Sequence, residues 1–330
     1  MKHNLIGISG KIKSGKDTVG SILQWIVTSK TGFGNGTYSN KECEEWLNGK
    51  YPGDTSIQKI SNYLIKKYAD KLKYIVCLLI GCTREQLEYR EFKEQELGEE
   101  WWYYCNSLFF NGKQEMVPYL DADDSVKSNT AWYLIKLTPR KLLQLLGTEA
   151  GRNIIHPNIW VNALFADYKL EYDKSDFNRI AIEEGLIDGK SSGNLHALKK
   201  LGITKGNINF QLDDKYKTKH PNWIITDVRF PNEAKAIKDR GGIVIRVDRP
   251  IDLRFPKLWK MFISTNPVAA KIGYFFSWML GHDEEMKKLH STLHHPSETA
   301  LDSYEDFDVI INNEGSISDL IEKIKQLNLV

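Results

Sequence analysis

The sequence predicts an α/β protein with a doubly wound parallel sheet of about five strands, helices on both faces and several insertions. The prediction rests on short apolar segments that alternate with amphipathic helical segments. The apolar segments are residues 5–9, 62–69, 223–226, 242–247 and 308–312. Such segments are typical of strands buried on both faces. A sheet of this kind binds ligands at the carboxyl ends of its strands.

Helical patterns lie between the predicted strands. They occupy residues 16–29, 70–82, 138–151, 231–242 and 315–330. Thr138 is expected to cap the third helix, Pro139 follows at its first position, and Gly147 is expected to end it. The last helix is amphipathic and begins after Ser316 or Ser318.

Three segments interrupt this alternation: residues 28–56, 167–221 and 250–292. The first two are rich in turn-forming residues, and the third mixes basic and aromatic residues. A chain of 330 residues fits one large α/β domain with insertions, or two smaller domains. We interpret residues 1–330 as a single domain and the three segments as its insertions, with the third as the candidate lid.

The overall composition indicates an ordinary globular protein. A net charge of +2 gives no general attraction to nucleic acid or membrane, so any anion site must be built locally. The four cysteines contain no C-x-x-C pair, which favours reduced thiols without a redox role. The first strand begins too near Met1 to leave room for a signal peptide, and the apolar residues 269–281 are too few to cross a bilayer. We therefore expect a cytoplasmic location.

The loop after the first strand has the spacing of a phosphate-binding loop, G-x-x-x-x-G-K, from Gly10 to Lys16. Glycines let backbone N–H groups face phosphate oxygens, and the helix N-terminus adds its positive dipole end. Lys16 would reach the β- and γ-phosphates. Further donors or positive charge come from Lys11, Lys13, Ser14, Gly15 and Thr18. An ordinary glycine turn is the alternative interpretation.

Asp17 stands where such loops usually carry a Ser or Thr that holds magnesium. A carboxylate is repelled by a triphosphate unless a cation lies between them. Asp17 could bind Mg²⁺ directly or through water, or it could stabilise the first turn of the helix. The residue type leaves these alternatives open, and Thr18 is the neighbouring candidate for a phosphate or metal contact.

A second group of polar residues follows the third predicted strand. Asp227 ends the strand, and Arg229 and Glu233 come next. A carboxylate at this edge can hold magnesium or substrate, and an arginine can bind phosphate through two parallel hydrogen bonds. A capped turn with an Asp–Arg ion pair is an equal alternative. Trp160 is either a core residue or a ring that stacks on a base.

The candidate residues favour a particular reaction class. No Ser-His-Asp or Cys-His set is evident, whereas several cations are expected around one crevice. A kinase whose acceptor is already a phosphate needs no general base, but it needs cations that hold two anions together. The pattern therefore favours a nucleotide kinase.

Several motifs occur in one order across most of the chain outside the insertions. They are GKIKSGKDT, YADKLK, TPRKLLQLLGTEAGRNIIHPNIWV, TDVRFPNEAKAIKDRGGIVIRVDRP, HPSETALD and DVIINNEG. Together they resemble the deoxynucleoside monophosphate kinases of bacteriophages, a branch of the P-loop nucleoside monophosphate kinases. The resemblance implies a P-loop NTPase-type fold and transfer of the γ-phosphoryl group of ATP, with Mg²⁺, to a deoxynucleoside 5′-monophosphate. Asp17 then becomes a family trait, since the G-K-D-T form of the loop is usual there.

The resemblance and the loop motif together assign roles to individual residues. The ATP phosphates would be bound by Gly10, Lys13, Ser14, Gly15, Lys16, Asp17 and Thr18, with Asp17 and Thr18 at the magnesium ion. The acceptor would be bound by Gly147, Thr148, Trp160, Asp227, Arg229 and Glu233, with Lys11, Asp70, Lys73, Arg90, Lys93 and Arg152 as further candidates. During transfer, Lys16, Lys13 and Arg229 would offset charge. Lys11 would replace a basic residue that relatives can carry at the position of Ile12.

The expected partners are ATP and a deoxynucleoside monophosphate, without membrane or nucleic acid, and a homodimer is left open. If the gene belongs to a phage, the location is the cytoplasm of the infected cell. One alternative function is that of another small-molecule P-loop kinase, such as a dephospho-coenzyme A or phosphomevalonate kinase. Another is a non-catalytic ATP-binding protein that contacts nucleic acid through residues 167–221. The accepted bases cannot be read from these motifs.

Overall fold

The computed structural model describes residues 3–32, 39–48, 63–106, 116–172, 217–265 and 284–329. The chain forms two compact units. The first unit comprises Met1–Ile65 and Phe165–Val330, and the second comprises Lys66–Leu164. The expectation of a single kinase domain stays a prediction. Much of the three segments interpreted as insertions, including residues 173–216 and 266–283, lies outside the described residues.

Strands and helices alternate along the chain, with short turns between some of them. The strands are β1 (Leu5–Ser9), β2 (Tyr63–Lys66), β3 (Trp102–Asn106), β4 (Met116–Pro118), β5 (Trp132–Lys136), β6 (Glu171–Tyr172), β7 (Lys217–Lys219), β8 (Asn222–Val228), β9 (Ile243–Asp248) and β10 (Val309–Asn312). The helices are α1 (Lys16–Gly32), α2 (Asn40–Leu47), α3 (Ala69–Ile80), α4 (Arg90–Glu94), α5 (Asp124–Lys127), α6 (Pro139–Gln144), α7 (Ile159–Phe165), α8 (Pro231–Lys238), α9 (Ile251–Arg254), α10 (Pro256–Thr265), α11 (Glu284–Leu293), α12 (Pro296–Thr299) and α13 (Ile317–Leu327). Short 3₁₀ turns cover Gln86–Glu88, Glu99–Trp101 and Tyr119–Asp121, and a π-helix covers Leu145–Ile155.

A five-stranded sheet in the order β10-β9-β1-β8-β2 forms the centre of the first unit. β1 pairs in parallel with both β8 and β9, and β10 pairs in parallel with β9. The predicted doubly wound parallel sheet is therefore confirmed. The second predicted strand ends earlier than expected, at Lys66. The reason is the turn into α3, where the Asp70 carboxylate accepts a hydrogen bond from the Lys67 N–H at 3.1 Å.

The main core lies between this sheet and the helices α1, α2 and α13. The predicted apolar face of α1, with Val19, Ile22, Leu23 and Ile26, is buried as expected. One part of residues 28–56 differs from the expected irregular surface, because α2 is a capped helix whose Cys43 lies in this core. Apolar spacing within such a short helix gives a weak signal, which explains why the sequence did not reveal it.

Helix ends show which local signals determine structure. Ser316, rather than Ser318, caps α13, and its side chain accepts a hydrogen bond from the Asp319 N–H. Thr138 caps α6 as predicted. The expected stop at Gly147 is wrong, since the chain continues as the π-helix through Ile155. The buried indole of Trp160 donates a hydrogen bond to the Gly147 carbonyl at 2.7 Å, so a tertiary contact overrides the glycine signal.

The second unit contains an antiparallel sheet, β4-β3-β5, which the sequence pattern did not reveal. Its aromatic residues interact closely: the Trp102 and Tyr119 rings meet edge to face at 5.5 Å, and the Lys136 ammonium lies 4.2 Å from the Trp102 ring centroid. β5 buries neither face fully, so it lacks the apolar alternation that marks a strand.

The described part of residues 250–292 belongs to the first unit. Phe255, Phe262, Met286 and Leu293 form a second apolar cluster, against which Ile12 of the phosphate-binding loop packs. These residues therefore support the loop in the observed state, and their expected role as a lid stays a prediction. Within the described ranges, no helix is long and apolar enough to span a membrane.

The core predicts a contrast between two isoleucines of α13. Ile321 is fully buried and Ile317 is 43% exposed. Ile321→Ala should lower the free energy of unfolding by about 2–5 kcal/mol, because it removes buried methyl groups and leaves a cavity. Ile317→Ala should cost less than about 1 kcal/mol. Urea unfolding of both variants tests this, and equal losses would contradict the assigned core.

Candidate phosphate-binding site

Two glycines shape the loop between β1 and α1. At Gly10, a Cβ atom would lie 2.3 Å from the Ser14 Oγ and 2.7 Å from the Val247 carbonyl oxygen. At Gly15, it would lie 2.5 Å from the Asn313 Nδ2, and the φ of 94° is left-handed. Neither position has room for a side chain. The structure thus gives a physical reason for both glycines of the motif.

The loop is held by a hydrogen bond between two of its own residues and by another from a residue outside the loop. The Ser14 N–H donates to the Lys11 carbonyl at 3.0 Å, and the Asn313 amide donates to the Ser14 carbonyl at 2.8 Å. Lys13 has a φ of 61°, a conformation that costs energy for a residue with a Cβ atom. Left-handed backbone conformations, such as those of Lys13 and Gly15, are typical of loops whose backbone N–H groups bind anions.

The Ser14 hydroxyl is buried and has no hydrogen-bond partner among the described residues. A buried polar group without a partner is costly, so such a group in a loop of this geometry is a candidate ligand contact. A phosphate oxygen would supply the missing acceptor. The loop therefore contains a buried donor that fits the phosphate the motif implies.

Lys16 begins α1 and is only 8% exposed. Burial, followed by the neighbouring Arg229 guanidinium, lowers the pKa of Lys16. The carboxylates that oppose this shift are those of Asp17, Glu298 and Asp227. Because burial is the largest cause, a phosphate in contact with the ammonium would replace part of the hydration that Lys16 has lost and would favour its charged form.

Arg229 follows β8 and forms an ion pair with a carboxylate far away in the sequence. Its Nη1 donates to the Glu298 Oε1 at 2.7 Å and to the Ser297 Oγ at 3.3 Å. Glu233, which is expected at the acceptor, lies at the start of α8 in the structure. Its buried carboxylate accepts the backbone N–H groups of Arg229 at 2.7 Å and Phe230 at 3.1 Å, which fixes the start of α8.

Two residues that the sequence did not identify hold the backbone of Ile12. The Glu298 Oε2 accepts the Ile12 N–H at 2.6 Å, and the Arg254 Nη1 donates to the Ile12 carbonyl at 3.2 Å. Arg254 lies in a segment interpreted as an insertion, and Glu298 lies in the HPSETALD motif, which carried the only signal. Nearby, the Lys11 ammonium forms an ion pair with Asp302 at 2.8 Å.

Asp17 is fixed to the end of β8. Its Oδ1 accepts a hydrogen bond from the Thr226 hydroxyl at 3.0 Å. Within the described residues, no group of three or more His, Cys, Asp or Glu side chains could hold a metal ion by itself. Magnesium takes oxygen ligands and commonly completes its shell with phosphate and water. The carboxylates of Asp17 and Asp227 beside Lys16 fit an ion that arrives with a nucleotide.

The remaining predicted substrate residues lie in the second unit. Trp160 is 4% exposed, so its ring belongs to the core in this structure. Asp70 pairs with Arg84 at 3.0 Å, and Lys73 pairs with Glu88 at 2.8 Å. Gly147 is buried, Thr148 and Arg152 are half-buried, and Arg90 is exposed. The structure thus brings together the loop, Asp227 and Arg229 within the first unit, and it places the other candidates in the second.

The parallel sheet and this loop have the architecture of a P-loop NTPase-type α/β fold. No protein-family model matches the chain. It is 25% identical over 175 residues to the deoxynucleoside-5′-monophosphate kinase of Escherichia phage T5, which covers 48% of this chain and 59% of that protein. It is 26% identical over 149 residues to a protein of Acanthamoeba polyphaga mimivirus that is provisionally named a deoxynucleotide monophosphate kinase, covering 44% of this chain and 55% of that protein.

The chain thus spans little more than half the length of the curated relatives it matches. The similarity to deoxynucleoside monophosphate kinases that the motifs indicate is confirmed by these two relatives. The individual roles of the site residues are not addressed by this similarity and stay predictions.

The Ser14 hydroxyl predicts an unusual stability result. Ser14→Ala should leave the free energy of unfolding unchanged or slightly raised, because it removes a buried hydroxyl that has no partner among the described residues. Asn313→Ala should lower it by about 1–3 kcal/mol, because the Ser14 carbonyl loses its donor. Thermal unfolding without nucleotide compares the two variants. Equal destabilisation would mean that the Ser14 hydroxyl has a partner in solution.

The ion pairs of Glu88 predict a pH dependence in the second unit. Burial alone would raise the pKa of Glu88, but hydrogen bonds from Lys73 and Arg84 outweigh it and lower the pKa to about 2. A depressed native pKa contributes stability above the ordinary value of 4.5, and this stability is lost as the pH falls toward 2. Unfolding curves at decreasing pH should show this loss of stability. Glu88→Gln should remove the part of the loss that is due to the protonation of Glu88. Glu91→Gln, at an exposed site on α4, is the control, and an identical profile for both variants would contradict the assignment.

Proposed function

We propose that this protein is a deoxynucleoside monophosphate kinase, which transfers the γ-phosphoryl group of ATP to a deoxynucleoside 5′-monophosphate. The observation that carries the proposal is the loop in which the Ser14 hydroxyl is buried, without a partner among the described residues, beside the buried Lys16. The names of the two relatives support kinase activity and suggest the acceptor.

The proposed reaction is a direct displacement. An oxygen of the acceptor's phosphate forms a bond to the γ-phosphorus, the bond from that phosphorus to the bridging oxygen breaks, and ADP leaves. The acceptor oxygen is already ionised at neutral pH, so no residue needs to remove a proton. The main requirement is that cations hold two anionic substrates close together and in line.

The donor half of the site would be the loop itself. Its backbone N–H groups, the Ser14 hydroxyl and the Thr18 side chain would bind the phosphates of ATP, while Lys16 would contact the β- and γ-phosphates. Arg229 and Lys13 would offset charge near the transferred group. Magnesium, held by Asp17 and Asp227, would supply further charge neutralisation at the phosphate oxygens.

The acceptor half is proposed from the resemblance. Its residues would be Gly147, Thr148 and Arg152, with Asp70, Lys73 and Arg90 as further candidates. The buried Trp160 would support this part through its hydrogen bond to the Gly147 carbonyl. Glu233 would act through the backbone of Arg229, because its carboxylate accepts the N–H groups of Arg229 and Phe230 at the start of α8. The main alternative is a different acceptor, such as dephospho-coenzyme A, with the same donor loop.

An acceptor panel tests the proposal. Incubation with ATP, Mg²⁺ and dGMP, dTMP or 5-hydroxymethyl-dCMP should yield ADP and a deoxynucleoside diphosphate, detected by chromatography. Product with dephospho-coenzyme A alone would indicate the alternative kinase. Salt-sensitive DNA binding without any phosphorylated product would instead indicate a nucleic-acid-associated ATP-binding protein.

Lys16→Ala should lower turnover by orders of magnitude and leave the fold intact. The variant removes the charge that would contact the transferred phosphoryl group, and truncation of a single preorganised donor costs about 10²–10³-fold elsewhere. Lys235→Ala is the matched control, because that ammonium pairs with Asp239 and is mostly exposed. ADP release is measured for both variants. Unchanged turnover in Lys16→Ala would contradict the assigned site.

A further inference from the structure

One buried carboxylate joins Arg229 to the phosphate-binding loop. The side chain of Glu298 is only 4% exposed. Its Oε1 accepts from the Arg229 guanidinium at 2.7 Å, and its Oε2 accepts from the Ile12 N–H at 2.6 Å. Each oxygen therefore serves a different partner, and the two partners lie on different strand ends of the sheet.

We infer that Glu298 is a positioning residue that sets the Arg229 guanidinium at the loop so that it can recognise the γ-phosphate of ATP. The inference deepens the proposed function and rests on it for its catalytic consequence. Arg229 and Lys16 are like charges close enough to affect one another. A guanidinium beside a buried ammonium stays in place only when a carboxylate offsets the repulsion.

The geometry leaves part of the guanidinium available for a ligand. Among the described residues, the hydrogen bonds of the Arg229 side chain are made by Nη1, to Glu298 and Ser297. A guanidinium has five N–H donors arranged as a planar fork. Glu298 therefore fixes one edge of the fork, and the remaining donors can meet phosphate oxygens, which an arginine binds with defined geometry.

The helix that carries Glu298 is itself fixed. α12 starts with Pro296, its cap residue His295 accepts the Ser297 N–H at 3.2 Å, and the Glu298 N–H donates to the His295 carbonyl at 2.8 Å. The motif HPSE thus supplies a cap, a helix start and the carboxylate within four residues. This arrangement gives Glu298 a defined direction toward the loop and Arg229.

Glu298→Gln separates positioning from simple ion pairing. A carboxamide has the same shape but only one acceptor oxygen, so it cannot serve both Arg229 and the Ile12 N–H. Asp302→Asn is the matched control, because Asp302 also binds a loop residue, Lys11, but is 42% exposed and has a different arginine, Arg246, at 3.6 Å. Glu298→Asp is a second variant that keeps the charge and shortens the reach, in case Glu298→Gln does not fold.

The measurement is a double-mutant cycle on the ratio of the dissociation constants for ADP and ATP, determined by calorimetry for the full chain. The wild-type protein should bind ATP more tightly than ADP. Glu298→Gln and Arg229→Gln should each reduce this preference by about tenfold, the size expected for one charge-assisted hydrogen bond. The double variant should lose no more of the preference for ATP than Arg229→Gln loses alone, because Glu298 acts through Arg229. Asp302→Asn should keep the wild-type ratio.

Three results would overturn the inference. The first is equal affinity of the wild-type protein for ATP and ADP, and the second is an unchanged ratio of dissociation constants in Glu298→Gln or, where that variant does not fold, in Glu298→Asp. The third is a double variant in which the two losses of ATP preference multiply. A purely structural role of Glu298 would weaken ATP and ADP binding alike and leave the ratio unchanged. The readout is binding, not transfer. A failed acceptor panel would therefore contradict the proposed function without changing the outcome of this cycle.

Discussion

The burial of the Lys16 ammonium at the end of a parallel strand is the constraint on which the site depends. A buried ammonium is costly unless anionic groups surround it. Burial, followed by the nearby Arg229 guanidinium, lowers the pKa of Lys16, and the carboxylates of Asp17, Glu298 and Asp227 oppose this shift. A phosphate anion in contact with Lys16 would stabilise its charged form further, and it would thereby offset part of the cost of burial.

The order of the strands explains how distant residues reach this loop. β1 lies between β8 and β9, so the carboxyl ends of three strands converge at one edge of the sheet. Thr226, near the end of β8, holds Asp17, and Asn313, just after β10, holds the carbonyl of Ser14. The loop is therefore fixed from both sides by residues of the chain itself. Such preorganisation is what makes electrostatic stabilisation effective in catalysis.

The features that depend on local pattern could be predicted from the sequence. The buried strands, the apolar face of α1, the Thr138 cap and the two loop glycines all follow from spacing within about fifteen residues. Features set by tertiary contacts could not be predicted in this way. The π-helix continues past Gly147, whose carbonyl accepts a hydrogen bond from the distant Trp160. The strands β3 and β5 have half-exposed faces that show no clear alternation.

The same reasoning applies to the candidate site. The loop was found through its motif, but Glu298 and Arg254 bind Ile12 across 286 and 242 residues of sequence. No periodicity connects positions so far apart. Glu298 sits in a short polar motif whose chemistry was ambiguous without knowledge of its neighbours. The sequence therefore located the loop that is expected to bind phosphate. Only the structure identified Glu298 as the residue that joins this loop to Arg229.

The central claim is that the loop from Gly10 to Thr18 is a preformed binding site for the phosphates of ATP. Hydrogen–deuterium exchange with and without ATP and Mg²⁺, followed by mass spectrometry, tests it most directly. Such a site predicts that ATP slows the exchange of the backbone amides in residues 10–18, because those N–H groups gain phosphate acceptors. Unchanged exchange in residues 10–18 at saturating ATP, with protection confined to another part of the chain, would contradict it.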